Sequence, residues 1–402
     1  MGELSRTEQD AIERADVEPM LRQVQLWSEI NSGSANLPGL AMVAGALADA
    51  FSALPGELRL RDPAPVTAID PSGREQTVSN GQHLHLAVRP DAPVQLLFTG
   101  HMDTVYPSDH PFQSLRWVED GLLGGPGVAD MKGGLTVMLA ALKAVEASTA
   151  GASIGYEIVI NSDEEVGSPS SAALLAEAAR GKQAALTYEP AALPDGTLAG
   201  ARPGSGNFSF VITGRSAHAG RNPQDGRNAV VAAADLALRL RQLIQSGLSV
   251  NVARIEGGGP NNVVPDHAVL RVNLRPATPE LQGFAEAGIA RAVAEVATQH
   301  DLSIHRHGSF GRPPKPFDPK AERLFSLVRQ AGADLGQDIG WQASGGVCDG
   351  NNIAACGVPV VDTMGVRGGQ IHSSEEYLIV DSLAERAALS TLTILRLARG
   401  DR

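Results

Sequence analysis

The chain has 402 residues, of which 43% are hydrophobic and 19% charged, and its formal net charge is −12. That composition excludes a chain that is disordered or of low complexity as a whole, and a net-acidic surface argues against nucleic acid, whose phosphates attract basic faces. The length exceeds what one hydrophobic core usually organises, so two domains are expected.

The segment Met1 to Met20 is charged and lacks the apolar centre of a secretory signal. No apolar run is long enough to span a bilayer, so no membrane partner and a cytoplasmic location are expected. The only cysteines, Cys348 and Cys356, form no closely spaced zinc-ligand motif. A reducing compartment suits them.

In chain order, the stretch up to Ala53 reads as two helices around the loop Asn31 to Pro38, with Met20, Leu21, Val24 and Trp27 at helical spacing. Short strands follow, ending in the apolar run Val94 to Phe98. Met131 to Ala147 reads as a helix, Tyr156 to Ile160 as a buried strand, Ser170 to Arg180 as a helix and Ala184 to Tyr188 as a strand. Strands alternating with helices predict an α/β domain with a mostly parallel central sheet. Near Gly204 the pattern changes to strand Phe208–Thr213, helix Asn228–Ile244, strands Leu248–Ile255 and Ala268–Leu274, helix Pro279–His300 and strand Leu302–His307. That β-α-β-β-α-β order is the ferredoxin-like unit. Gly311-Arg312-Pro313-Pro314-Lys315-Pro316 reads as a stiff linker, after which the helix–strand pattern resumes. The expected organisation is a domain of residues 1–203 and 314–402, with residues 204–313 inserted into it and both joints at the surface.

Acidic and histidine residues gather behind the predicted strands. His101 and Asp103 follow the strand ending at Phe98; Glu164 and Glu165 follow the one ending near Asn161. Glu189 follows Tyr188, His372 lies beyond the strand Val358–Val361, and Asp130 opens the helix at Met131. Open α/β sheets bind ligands outside the carboxyl ends of their strands, so these residues are expected on one rim. Imidazole and carboxylate ligands suit zinc, with manganese or cobalt as alternatives. Clustered carboxylates also repel one another unless cations neutralise them. Each residue has a plainer reading: Asp130 as a helix N-cap, Glu164-Glu165 as charges favouring a helix start, and Gly124-Gly125-Pro126-Gly127 as a turn. Those readings leave the shared rim unexplained. The glycine-rich segment lacks the order of a phosphate loop.

Gly100-His101-Met102-Asp103-Thr104-Val105, Gly127-Val128-Ala129-Asp130-Met131-Lys132-Gly133-Gly134, Ser162-Asp163-Glu164-Glu165-Val166-Gly167 and Tyr188-Glu189-Pro190 resemble the consecutive motifs of the dizinc peptidase M20 family. The family includes glutamate carboxypeptidases, acetylornithine deacetylase, succinyl-diaminopimelate desuccinylase and aminoacylases. Gly214-Arg215-Ser216-Ala217-His218-Ala219-Gly220 and Ile371-His372-Ser373 extend the likeness from about Pro93 to the C-terminus, closest to the glutamate carboxypeptidases.

The resemblance implies two divalent metal ions per subunit. One would be held by His101, Asp130 and Glu189, the other by Asp130, Glu165 and His372, with Asp130 bridging. It implies that Asp103 orients His101 and that Glu164 is the general base, taking a proton from the attacking water and delivering it to the leaving amine. It also implies a cis peptide at Asp130-Met131. The inserted domain would be a lid and dimerisation domain, and His218 would reach the partner subunit's site to steady the oxyanion. Asn262 and Arg275 would meet the substrate, Arg275 gripping a free carboxylate; its plainer reading is a surface charge at a strand end. Gly346 belongs to Ser344-Gly345-Gly346-Val347-Cys348-Asp349-Gly350, which resembles the family's loop near that carboxylate. Cys348 departs from the usual small or hydroxyl residue there. The implied activity is hydrolysis of an amide next to a free carboxylate, in a small peptidyl or N-acyl amino acid, by carboxypeptidase or deacylase action. A relative kept only as a binding module would be expected to lack Glu164 or a metal ligand, and this chain has them all.

Overall fold

The computed structural model describes residues 4–400, so the first three residues of the charged amino-terminal segment lie outside it. Three helices, not two, open the chain: α1 (Arg6–Ile12), α2 (Val17–Ser28) and α3 (Leu37–Phe51). Ser5, Asp16 and Asn36 cap them, each side chain accepting a bond from a first-turn N–H that the helix cannot satisfy itself. The caps at Ser5 and Asp16 make two helices where apolar spacing alone suggests one.

Strands β1 (Glu57–Arg61), β2 (Val66–Ile69), β3 (Glu75–Val78), β4 (His83–Val88) and β5 (Val94–His101) come next, then the short β6 (Arg116–Glu119) and β7 (Leu122–Gly124). A kinked turn at Val128–Gly133 leads into α4 (Gly134–Glu146), β8 (Ile154–Asn161), α5 (Ala172–Ala179), β9 (Ala184–Thr187) and β10 (Leu198–Ala199). The inserted unit follows as β11 (Ser205–Thr213), α6 (Ala229–Arg241), β12 (Leu248–Gly257), β13 (His267–Pro276), α7 (Pro279–His300) and β14 (Ser303–Arg312). The chain then returns through α8 (Pro319–Asp334), β15 (Trp341–Gln342), α9 (Asp349–Ala355), β16 (Val360–Val361), β17 (Gly368–Gly369), β18 (Tyr377–Ile379) and α10 (Ser382–Arg399).

The central sheet has the order β1-β4-β8-β5-β9-β16. The pairs β8–β5, β5–β9 and β9–β16 are parallel, while β1–β4 and β4–β8 are antiparallel. Phe98, Ile158, Ile160 and Leu186 are buried in it, each worth about 1.5 to 3 kcal/mol relative to exposure. Helices α2, α3, α4 and α10 pack on one face and α5 and α9 on the other, so both faces are dry and the strands read as continuous apolar runs. The inserted sheet, β12-β13-β11-β14, is antiparallel, and α6 and α7 cover one of its faces around a separate core.

Two expectations are corrected. The joints between the domains are not surface linkers: Arg202, Arg312 and Lys315 are all buried. Gly311 and Arg312 end β14, and Lys315 exchanges two backbone hydrogen bonds with Arg202, at 2.9 and 3.0 Å. The helix read from Met131 begins at Gly134 instead, because Asp130 and Met131 have non-helical torsions; the peptide between them is cis.

Candidate metal centre

Four of the candidate residues hang from the carboxyl ends of adjacent central strands. His101 ends β5, the Glu164–Val166 turn follows β8, and Glu189 lies two residues past β9. Asp130 and His372 come from elsewhere. A small antiparallel sheet, β17-β18-β7-β6, pairs Gly124 with Tyr377. It sets the glycine-rich turn before Asp130 beside the loop that carries His372. Gly134 packs against the Tyr188 carbonyl with no room for a Cβ, which brings the Asp130 turn against the end of β9.

The structure brings His101, Asp130, Glu165, Glu189 and His372 together. The Asp130 carboxylate divides between two imidazoles: Oδ1 lies 3.1 Å from His101 Nε2 and Oδ2 lies 3.3 Å from His372 Nε2. Glu189 sits 3.7 Å from the same His101 nitrogen, and Glu165 sits 3.2 Å from the same His372 nitrogen. Asp130 does not cap α4, whose N-cap is Gly133 without a side-chain bond. His101, Asp130 and Glu165 offer ligand atoms within 4.8 Å of one another, as do His101, Glu164 and Glu189.

The electrostatics are those of a cation site. Burial and the Asp130 charge push Glu165 up to about 7. Burial likewise raises Glu189, although His101 opposes it. Hydrogen bonds to Asp130 and Glu165 raise His372 to about 11. Burial alone would lower His101, but Glu189, Asp103 and Asp130 outweigh it and raise it well above its usual range. Carboxylates and imidazoles raised together mark a buried cluster of negative charge that a bound cation would neutralise. Glu189 Oε1 is buried without a hydrogen-bond partner. A buried carboxylate oxygen without a partner, on the residue whose Oε2 faces His101, fits a metal ligand.

Asp103 serves two neighbours. His101 Nδ1 lies 2.9 Å from the Asp103 backbone carbonyl and 3.5 Å from its carboxylate, so the main chain makes the closer contact with the ring. The carboxylate accepts the Glu164 and Glu165 N–H groups, both at 3.1 Å, and the Ser34 hydroxyl at 2.7 Å. It holds the turn that carries both glutamates.

Sequence reasoning missed two further residues. Arg312 donates to Glu164 Oε1 at 2.6 Å and to Ser168 Oγ at 3.0 Å, and it is also paired with Asp349. Burial nevertheless leaves Glu164 well above the usual carboxylate range, against the pull of Arg312. Glu376 accepts the N–H groups of Ala129 and Asp130 at 3.0 and 3.1 Å and the Tyr106 hydroxyl at 2.8 Å, so it pins the Asp130 turn. The one available signal for Arg312 was a linker bearing two cations where flexible linkers carry glycine and serine.

The inserted-domain candidates stand apart. His218 and Asn262 are exposed neighbours: Ala219 N–H donates to Asn262 O at 2.9 Å, and Gly220 N–H donates to His218 Nδ1 at 3.1 Å. Among the described residues, no hydrogen bond or ion pair joins either to the cluster. Arg275 Nη1 does cross the domains, donating to Gly345 O at 3.1 Å. The adjacent Gly346 O accepts from Arg202 at 3.2 Å. Burial holds the Cys348 thiol neutral, and its Sγ lies 3.4 Å from Asp362.

The sheet, the inserted domain and the carboxylate–imidazole cluster define a metallohydrolase acting on amide bonds. The chain belongs to peptidase family M20/M25/M40, whose model matches residues 97–396; the family is metal-dependent. Carboxypeptidase G2 of Pseudomonas sp. (strain RS-16) is 30% identical over 313 residues, 76% of this chain and 74% of that protein. Succinyl-diaminopimelate desuccinylase of Verminephrobacter eiseniae (strain EF01-2) is 28% identical over 311 residues, 72% of this chain and 75% of that protein. The M20 family metallo-carboxypeptidase Sso-CP2 from Sulfolobus solfataricus superposes with a TM-score of 0.70 at 15% identity, covering 95% of this chain and 99% of that one. Among the described residues no helix is long and apolar enough to cross a membrane.

Proposed function

We propose that this chain is a dinuclear-metal hydrolase that releases a C-terminal amino acid from a small peptidyl or N-acyl amino acid, in the manner of a glutamate carboxypeptidase. The observation that carries the reading is the division of Asp130 between His101 and His372, each with its own glutamate, Glu189 and Glu165. Two half-sites that share one carboxylate suit two ions. His101, Asp130 and Glu189 would hold one and Asp130, Glu165 and His372 the other, with zinc favoured by the nitrogen and oxygen donors and cobalt or manganese as alternatives.

Bound ions would polarise the scissile carbonyl and acidify the attacking water. Glu164, 2.6 Å from Arg312, takes the water's proton and hands it to the leaving amine. Asp103 fixes the Glu164 turn and the His101 ring. Arg275 and the Gly346 loop hold the substrate's free carboxylate. Residues 204–313 act as lid and dimerisation domain, and His218 of a second copy donates to the oxygen that turns negative. The likeness to carboxypeptidase G2 supports peptide-bond cleavage, and that to the desuccinylase supports deacylation as the second reading.

The test loads the protein with zinc, cobalt or manganese, counts bound metal per chain, and screens peptidyl and N-acyl amino acids for release of free amino acid. Two ions per chain and much faster turnover of carboxylate substrates than of their carboxamides are expected. One ion at full activity, or equal turnover of the carboxamides, overturns the reading.

A further inference from the structure

A cavity of about 300 Å³ opens at the amino ends of the central strands, at the lower end of the size range of small-molecule sites. Val94 and Leu96 of β5 line it from the sheet. Leu324 and Leu327 of α8 and Leu397 of α10 complete its apolar wall. The place is remote from the candidate metal centre. Strand β5 starts with Val94 at the cavity and ends with His101, and at about 3.3 Å per residue that separation is about 23 Å. Strand β9 likewise starts with Ala184 at the cavity, and Glu189 lies past its far end.

The charged groups on the lining are all basic. Lys182, Lys320 and Arg323 line the cavity, and among the described residues no carboxylate does. Lys182 is buried and committed to Glu157, at 2.7 Å. Lys320 and Arg323 are exposed, and among the described residues no hydrogen bond or ion pair engages either side chain. On a chain of net charge −12, two unpaired cations beside an apolar cavity form a local exception.

The order of these residues along α8 narrows the ligand. Lys320, Arg323, Leu324 and Leu327 recur at helical spacing and share one stripe of the helix. The cations come first and the leucines follow, with Leu327 about 10 Å further along the axis than Lys320. A negative group beside Lys320 also meets the positive end of the helix dipole. A carboxylate on an apolar body would pair with both cations while its body displaced water from leucine and valine surface. A bare small anion would gain only exposed ion pairs, which contribute little. An uncharged apolar molecule would leave the cations unused.

We propose that this cavity binds a small carboxylate with an apolar aliphatic or aryl body, at a site separate from the metal centre.

The experiment titrates octanoate and 4-phenylbutyrate into the metal-loaded full chain by isothermal calorimetry, with acetate and 4-phenylbutyramide as controls. One saturable site per chain is expected for at least one of the two acids, and the tighter of them names the body as aliphatic or aryl. Acetate and the amide should bind more weakly by about 10-fold or more, the scale of a lost apolar body or a lost charge-assisted hydrogen bond. The double variant Lys320→Glu with Arg323→Glu changes two exposed positions outside the proposed machinery. It should weaken the acids by about 10-fold or more and remove their advantage over the amide. The absence of saturable binding by either acid overturns the site. So does acetate or the amide binding as tightly as the acids. Affinity for the acids that is unchanged in the double variant places them elsewhere, the metal centre included, and overturns it equally.

Discussion

The centre on the central sheet and the candidate groups of the inserted domain are built in opposite ways. His101, Asp130, Glu165 and Glu189 are almost fully withdrawn from solvent, and Asp103, Glu376 and Arg312 brace the segments that carry them. His218 and Asn262 face solvent and touch mainly their own loop. A site that holds ions needs its ligands placed before the ion arrives. Groups that meet the substrate can instead be delivered by lid closure or by a second subunit. One chain by itself gathers the metal candidates, whereas the role proposed for His218 calls for lid closure or a second copy.

The largest expected effect is at Glu164. Glu164→Gln keeps the shape and removes the base, so turnover should fall by about 10² to 10⁴, with metal content at wild-type level. Parallel loss of metal and activity, read by metal analysis beside kinetics, would merge Glu164 with the ligands and blur the division between it and Glu165.

Arg312 tests how far the bracing matters. Arg312→Met strands Asp349 and Glu164 as buried carboxylates without their partner, which typically costs about 3 to 5 kcal/mol. Urea unfolding should show that loss. A change confined to activity would mean that Arg312 acts on Glu164 alone and does not support the joint between the domains.

The assembly half of the comparison turns on His218. His218→Ala should lower turnover by about 10² to 10³, the usual worth of one oxyanion donor. Mixing His218→Ala with Glu164→Gln subunits should restore activity, because a mixed dimer holds one site carrying both defects and one carrying neither. If subunits demonstrably exchange and activity stays absent, the histidine does not act across an interface.

A smaller effect is expected at Arg275. Arg275→Ala should slow carboxylate substrates by about 1.5 to 3 kcal/mol of lost charge-assisted bonding and hardly alter the carboxamides. Equal effects on both would make it the surface charge that its exposure suggests.

The smallest effect concerns pH and the buried joint. Burial pushes the Asp362 carboxyl up, but Arg202 and Lys315 beside it, at 2.8 and 2.9 Å, outweigh that and hold it at about 2. This lies below the unfolded value of roughly 3.9, so the group stabilises the fold fully above that unfolded value. Its contribution is lost as pH falls through about 2. Asp362→Asn should therefore cost stability at neutral pH, and the gap to wild type should narrow on acidification. A gap that stays constant down to acid pH would deny the ion pairs their part in the joint.

The gathering of the metal candidates was legible in the sequence, because most of them follow predicted strands whose carboxyl ends share one rim, and their motifs resemble a known family. The sequence by itself also determined the β-α-β-β-α-β order of the inserted domain, since apolar periodicity and caps such as Asn228 and Thr278 act within a few residues. It did not reveal the partners that cross the molecule. Glu376 meets Asp130 from 246 positions away, and Arg312 meets Glu164 from 148. Nor did it reveal the contact of the β2–β3 hairpin with the inserted sheet, or the small sheet that sets His372 beside Asp130. Such contacts have no period and no local motif. Only the closing of the chain on itself decides them, because a buried charge must find its counter-charge wherever packing brings one within reach.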